Sequence, residues 1–263
     1  MSELLAIIIL GIIEGVTEFL PVSSTGHLLI VENLGWVPHQ SDLFNVVIQC
    51  GAVLAVLAVF ASRVKQMILG WRQPDVADYI KKLLLAFFIT GIGGLILKRG
   101  GFRLPEEASP VAWATLIGGI LILVIEFLLR GKKLKDEIPW SVAIAVGVAQ
   151  LVAGALPGTS RSAITILTAL AMGTSRVKAT EFSFLLGIPT LFAAGALEFW
   201  QARRQLESGN LLYLFIGTAV ATITAFFVVK WLLKFVQTHT FIVFGWYRIL
   251  LGIVILLLFL SNH

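Results

Sequence analysis

The chain has 263 residues, of which 58% are hydrophobic and only 13% are charged, and its mean hydropathy is +0.94. A soluble globular domain carries about 25% charged residues, so this composition excludes a soluble protein and indicates a polytopic membrane protein. The net charge of +5 does not indicate a nucleic-acid partner, because basic loops beside a membrane account for it.

The first two apolar segments are short and lie on either side of a polar break. Residues 4–20 are apolar except for Glu14 and Glu18, and residues 24–34 form a second, shorter segment. A helix needs about 20 apolar residues to cross a bilayer, so the two segments are predicted to form a re-entrant helix pair. A broken helix at membrane depth is tolerated only where it is buried in protein or lines a wet cavity.

The break itself carries the polar side chains. Pro21 interrupts the helical pattern, and a hydroxyl among Ser23, Ser24 and Thr25 is expected to cap the second helix, with His27 on its first turn. Ionisable side chains at this depth cost about 2.5–3.5 kcal/mol each and mark candidate functional sites.

Three full-length apolar segments follow, and the whole pattern then returns. The first spans are predicted over residues 43–61, 83–97 and 111–129, with a basic loop after the first of them. Residues 139–156 are again apolar with one polar interruption, Gln150, and residues 157–162 break them before a short segment over residues 163–172. The last three spans are predicted over residues 182–200, 211–233 and 241–260.

The two broken pairs share one sequence register, which indicates an internal repeat. The same offset relates four pairs of residues: Glu14 and Gln150, Pro21 and Pro157, Gly11 and Gly147, and Ser24 and Ser160. We therefore predict an all-α membrane domain over residues 1–263, with about ten helices and six spans. It consists of two repeats, residues 1–132 and 133–263, each a re-entrant helix pair plus three transmembrane helices. Three crossings turn the second repeat upside down, which makes this an inverted-topology repeat.

The basic residues predict the orientation, because positive charge is enriched on the cytoplasmic side. The side opposite the termini carries thirteen: Arg63, Lys65, Arg72, Lys81, Lys82, Arg130, Lys132, Lys133, Lys135, Arg176, Lys178, Lys230 and Lys234. The side of the termini carries five: Lys98, Arg99, Arg103, Arg203 and Arg204. Both termini are thus predicted outside the cytoplasm. The two breaks enter from opposite sides and are expected to meet near the middle of the membrane.

The second break has the chemistry of an anion site. A helix N-terminus there offers free N–H groups and a positive dipole end, and Arg161 suits bidentate contact with phosphate. Gly26 and Gly158 allow close approach of the backbone. The candidate ligand-binding residues are Ser23, Thr25, Gly26, Gly158, Thr159, Ser160, Ser162 and Thr165. For Thr165, a hydrogen bond to the preceding helical turn is an equally good interpretation.

The first break supplies carboxylates, hydroxyls and a histidine. Glu14 and Glu18 share one helix face and are candidate ligands for a hard divalent cation that also binds phosphate oxygens. An ion pair between Arg161 and one of these glutamates is the simplest alternative to catalysis. His27 is either a nucleophile or the base for a serine. Together these groups predict phosphoryl transfer.

Residues 14–27 and 157–165 resemble the two signatures of the bacterial undecaprenyl pyrophosphate phosphatases, the bacitracin-resistance family. Residues 181–189 and the pair Tyr247 and Arg248 are also similar, and the resemblance runs nearly end to end. The one departure is Ala163, where many members have glycine; it adds only a methyl group.

The resemblance implies removal of the terminal phosphate from undecaprenyl pyrophosphate, which returns the monophosphate carrier lipid to cell-wall synthesis. It implies a divalent cation, Mg²⁺ or Ca²⁺, at Glu14 and Glu18, catalysis by Glu18, Ser24, His27 and Arg161, and a site open to the periplasm of a bacterial inner membrane. Ser24 and His27 both fit the role of nucleophile. The oligomeric state is open, with a homodimer as one expectation. The rival from another class is a transporter or flippase for a polyprenyl phosphate or another anion, because inverted repeats and broken helices are also typical of transporters.

Overall fold

The computed structural model describes residues 2–37, 40–101, 108–202 and 208–260, and these form eleven α-helices. The helices are α1 Glu3–Thr17, α2 Ser24–Asn33, α3 Asp42–Val59, α4 Ala61–Leu69, α5 Pro74–Arg99, α6 Ala108–Leu128, α7 Trp140–Ala155, α8 Arg161–Ala171, α9 Arg176–Ala202, α10 Ser208–Phe235 and α11 Ile242–Leu260. Arg103, Arg203 and Arg204, which entered the prediction of orientation, lie outside the described residues.

The helices confirm a multi-pass membrane protein. Among the described residues, α5, α6, α9, α10 and α11 are each long and apolar enough to cross a membrane. A sixth candidate crossing comes from α3 together with α4, a pair that is bent by 73° at Phe60. The helices α1, α2, α7 and α8 are too short to span a bilayer. They form the two predicted broken pairs.

One predicted loop is a helix. The stretch after the first span was expected to be a basic loop, but α4 occupies residues 61–69 of it, and α5 already begins at Pro74. The sequence of α4 alternates basic residues such as Arg63 and Lys65 with apolar ones such as Ile68, which is typical of a helix at a membrane surface. This helix raises the count from the predicted ten to the observed eleven.

The two halves interlock. The first helix, α1, packs chiefly on α10 of the second half, and α7 packs in the same way on α5 of the first half. Of the other extensive contacts, α6 with α11 and α3 with α9 join helices that correspond to one another, whereas α3 with α10 joins helices that do not. This exchange agrees with an inverted repeat, while the boundary between residues 132 and 133 stays a prediction.

Matched glycines allow this close packing. A Cβ atom at Gly11 of α1 would lie 2.8 Å from the Gly217 carbonyl oxygen of α10. A Cβ atom at Gly147 of α7 would lie 2.9 Å from the Ala86 Cα of α5. Each re-entrant helix therefore crosses a helix of the opposite half at backbone contact, which small residues alone allow. The matched glycines of the repeat are thus explained by packing, and the close packing that they allow brings the two breaks together.

Candidate active site

Both breaks end in a serine that caps the following helix. Ser23 is the N-cap of α2 and Ser160 the N-cap of α8, and their hydroxyls accept hydrogen bonds of 3.3 Å from the amides of Gly26 and Ala163. Within the described chain, these two serines are the only residues other than glycine with positive φ, at 76° and 66°. Such strained backbone persists only where its surroundings enforce it, and it clusters at functional sites.

The caps correct the sequence register by one residue. The sequence paired Ser24 with Ser160, but the equivalent caps are Ser23 and Ser160. Ser23 confirms the predicted hydroxyl cap of the second helix. The constant offset does not extend to the caps, because the second break holds one more residue between Pro157 and Ser160 than the first holds between Pro21 and Ser23. Ser24 is therefore the counterpart of Arg161, the first residue of α8.

Glu18 joins the two breaks. The Arg161 Nη2 atom donates a 3.0 Å hydrogen bond to Glu18 Oε1, and the Ser24 hydroxyl donates a 3.1 Å hydrogen bond to Glu18 Oε2. The two side chains of the ion pair are only 12% and 8% exposed. The expectation that the breaks meet, with Arg161 beside Glu18, is thus confirmed.

The Arg161 guanidinium is held on several sides. Its Nη1 atom donates to the Ser183 carbonyl at 3.3 Å, and its Cζ atom lies 5.1 Å from the ring centroid of Phe19. It also fills the space where a side chain at position 187 would stand, so Gly187 is required there. The Nε atom is buried without a hydrogen-bond partner in the described structure. These contacts fix the plane of the guanidinium beside Glu18.

Two of the predicted ligand-binding hydroxyls make buried hydrogen bonds within the protein: Ser162 joins the two breaks, and Thr165 joins α8 to α9. Ser162, fully buried, donates to the Leu20 carbonyl of the first break at 2.9 Å. Thr165, also fully buried, donates to the Arg161 carbonyl at 2.7 Å and lies 2.6 Å from the Ser183 hydroxyl. The alternative interpretation of Thr165, a bond to the preceding helical turn, is therefore the one observed. Contact of either hydroxyl with a ligand stays a prediction.

The other predicted binding residues differ in their exposure. Thr25 is exposed, whereas Thr159 and Ser160 are partly buried. Gly158 has φ of +89°, and a Cβ atom there would overlap the Val111 carbonyl. The structure thus requires glycine at position 158 for packing, independently of any ligand.

His27 faces away from Ser24. Its Nδ1 atom lies 2.7 Å from the Ser23 carbonyl oxygen, and its Nε2 atom lies 2.6 Å from the Tyr247 hydroxyl. The two rings are nearly parallel, with 8° between their planes. A carbonyl can only accept a hydrogen bond, so these partners assign the proton to Nδ1. The Nε2 atom of the neutral ring then accepts a hydrogen bond from the Tyr247 hydroxyl.

From the sequence, Tyr247 has no assigned role in the site, and Arg248 is expected to be only a structural anchor near the cytoplasmic end of the last helix. Arg248 is fully buried and donates to the backbone carbonyls of Thr115 at 3.2 Å, Ala114 at 3.1 Å and Gly158 at 3.1 Å. It therefore anchors the second break to α6 and α11. A tyrosine and an arginine inside an apolar span were the signal that could have assigned both residues to the site.

Glu14 lies in the interior without a partner. Its side chain is 0% exposed, and neither carboxylate oxygen has a hydrogen bond in the described structure. Buried carboxylate oxygens without partners suit a hard cation. No group of three His, Cys, Asp or Glu side chains that could hold a metal occurs among the described residues. Glu14 and Glu18 fit a cation whose other ligands are water and phosphate oxygens, which is the usual mode for Mg²⁺.

The fold and the site define a class of protein, a multi-pass membrane protein whose polar centre is built from two re-entrant breaks. A family model, that of the bacitracin resistance protein BacA, matches residues 7–254. The chain belongs to this family.

Curated relatives match over nearly their whole length. An undecaprenyl-diphosphatase of Rhizobium johnstonii is 50% identical over 251 residues, 94% of each chain. One of Xylella fastidiosa is 48% identical over 259 residues, 97% of this chain and 98% of its own. One of Xanthomonas oryzae is 47% identical over 260 residues, 98% of this chain and 97% of its own.

The ion pair predicts strong coupling between Glu18 and Arg161. Removal of one partner of a buried ion pair costs about 3–5 kcal/mol because the other charge is left uncompensated. We expect Arg161→Met and Glu18→Gln each to destabilise the protein, and the double variant to be more stable than the sum of the two losses predicts. Thermal unfolding in detergent measures this double-mutant cycle. Additive losses would show that the two breaks are energetically independent.

Proposed function

We propose that the chain is an undecaprenyl-diphosphate phosphatase, which hydrolyses undecaprenyl pyrophosphate to undecaprenyl phosphate and inorganic phosphate. It would thereby recycle the carrier lipid for peptidoglycan synthesis and confer bacitracin resistance. The observation that carries the proposal is the shared carboxylate of Glu18, bonded to the Ser24 hydroxyl of one break and the Arg161 guanidinium of the other. The names of the relatives support the same activity.

The geometry favours Ser24 over His27 as the nucleophile. The Ser24 hydroxyl already donates to Glu18 Oε2, so Glu18 is placed to take its proton. The Ser24 oxygen attacks the terminal phosphorus as the bond to the bridging oxygen breaks, and undecaprenyl phosphate leaves with that oxygen. Water then attacks the phosphoserine and releases inorganic phosphate, while the serine recovers a proton from Glu18. Neither ring nitrogen of His27 faces Ser24.

The protein itself supplies positive charge for the reacting phosphate, from Arg161 and from two helix N-termini. Arg161 is fixed beside Glu18, and both α2 and α8 present their N-termini at the breaks. Preorganised donors of this kind stabilise the charge that develops on a transferring phosphoryl group. The Tyr247 hydroxyl gives its one hydrogen bond as donor to His27 Nε2, and this bond would hold the imidazole in place on the first turn of α2.

We further propose that Glu14 and Glu18 hold a divalent cation, Mg²⁺ or Ca²⁺, in the active enzyme. The fit rests on the two unpartnered, buried oxygens of Glu14 beside the Glu18 carboxylate. A cation there would neutralise charge on the pyrophosphate oxygens and orient them. Without one, the interior would carry a costly unpaired carboxylate.

The proposed location is a bacterial inner membrane, with both termini and the site opening on the periplasmic side. The asymmetry of the basic residues supports this orientation. A homodimer stays an expectation. The rival transporter or flippase shares the architecture, but transport alone does not need a hydroxyl bonded to a carboxylate.

A trapped intermediate distinguishes the two nucleophiles. Phosphate release from a polyprenyl pyrophosphate by the detergent-purified protein should fall at least about 10³-fold in Ser24→Ala and be lost on chelation. An exposed control, Ser141→Ala, should keep wild-type activity. Quenched wild-type enzyme with labelled terminal phosphate should carry an acid-stable phosphoserine. An acid-labile label that survives in Ser24→Ala would assign the nucleophile to His27. If the wild-type protein released no phosphate with any metal, the proposed phosphatase activity would be wrong.

A second prediction concerns Tyr247 as the residue that positions His27. Tyr247→Phe removes the hydroxyl on Nε2 and keeps the ring, so kcat should fall about tenfold or more with KM within about twofold, and the pH–rate profile should change shape. Tyr213→Phe, a matched change on α10, should do neither. A purely structural role for Tyr247 would lower thermal stability and leave the pH–rate profile unchanged.

A further inference from the structure

A cavity lies at the opposite end of α6 from the break contacts. It has a volume of about 770 Å³ and lies between the end of α6, the loop after it and the start of α11. Thr115, which touches the second break, is eleven residues before Glu126 of this cavity, or about 16 Å along the helix. The residues that carry the argument are Glu126, Phe127, Arg130, Lys132, Arg176 and Trp246.

The floor of the cavity is a neutralised ion pair. The Arg176 guanidinium donates two hydrogen bonds to the buried Glu126 carboxylate, one of them from Nε at 2.9 Å. The Phe241 amide donates a third, at 2.8 Å. The charge of Glu126 is therefore already satisfied, and the floor holds a fixed polar surface rather than a free anion.

The rim of the cavity carries two positive charges that no carboxylate of the floor neutralises. Arg130 and Lys132 are both exposed, and neither has a carboxylate partner among the residues that the structure describes. The loop that bears them sits where α6 ends and α9 and α11 begin. This is the depth of the lipid headgroups, since three spans begin or end there.

The flanks of the cavity are apolar and face outward. Phe127 is 73% exposed and Trp246 is 62% exposed, on α6 and α11. Aromatic side chains at the ends of spans lie at the membrane interface. Basic pockets between transmembrane helices at this level bind anionic lipid headgroups.

We propose that this cavity is a binding site for an anionic diacyl phospholipid, distinct from the candidate active site. Its phosphate would contact Arg130 and Lys132, and its acyl chains would run along Phe127 and Trp246. Charge complementarity selects an anionic over a zwitterionic headgroup, because the neutral floor leaves two uncompensated cations at the rim. The proposal does not rest on the proposed hydrolase activity.

The test is native mass spectrometry of the full, detergent-purified chain with phosphatidylglycerol or with phosphatidylethanolamine of the same acyl chains. Wild type should bind phosphatidylglycerol at least about tenfold more tightly. In Arg130→Gln/Lys132→Gln this affinity should fall about thirty-fold, which is the loss of two basic contacts of about 1 kcal/mol each. The control Lys98→Gln/Arg99→Gln makes the same charge change at the C-terminal end of α5, which does not line the cavity, and it should bind as wild type does.

Each other outcome overturns the site. Equal binding of the two lipids, or equal weakening in both double variants, would reduce it to general surface charge. Tighter, rim-dependent binding of a polyprenyl phosphate than of phosphatidylglycerol would assign the cavity to that lipid instead. An unchanged unfolding temperature in detergent shows that each variant is folded, and Lys132→Gln alone replaces a double variant that is not.

Discussion

The ion pair of Glu18 and Arg161 is the interaction on which the rest of the structure depends. Two ions cannot be taken out of water at membrane depth unless each compensates the other and further hydrogen bonds satisfy both. Glu18 accepts a second hydrogen bond from Ser24, and Arg161 donates one to the Ser183 carbonyl and lies over the Phe19 ring. Both residues lie at helix breaks that reach the membrane interior only because each re-entrant pair packs on the opposite half. The ion pair therefore forms only because the two halves interlock, the glycines allow their helices to touch, and the two serine caps hold the breaks in place.

The halves have diverged in chemistry while they keep a common fold. Glu14 in the first half matches Gln150 in the second, and Gln150 Nε2 donates a 3.0 Å hydrogen bond to the Thr90 hydroxyl. The Gln150 amide nitrogen thus has a partner within the protein, whereas its Oε1 atom and both Glu14 oxygens have none among the described residues. One position after the caps, Ser24 of the first half matches Arg161 of the second. The first repeat therefore contributes carboxylates and a hydroxyl, and the second contributes the cation, as a site for an anionic substrate requires.

Much of this arrangement could be predicted from the sequence. Segment lengths and the interrupted apolar pattern gave the spans and the breaks, and the matched register indicated the inverted repeat that brings Arg161 to Glu18. Hydrogen-bond partners could not be predicted, because they depend on local geometry. The extra residue in the second break shifted the cap from Ser24 to Ser23 as the partner of Ser160. The contact of Thr165 with the Ser183 hydroxyl and that of His27 with Tyr247, 220 residues away, depend on tertiary packing that no local pattern encodes.

The most direct test of a shared site is an experimental structure with Mn²⁺ and a non-hydrolysable bisphosphonate analogue of the pyrophosphate. Anomalous scattering identifies the cation, and density identifies the ligand. The account predicts the cation on Glu14 and Glu18 from one half, with Arg161 from the other half on the same ligand. A bisphosphonate bound to one break alone, or a cation remote from both glutamates, would contradict it.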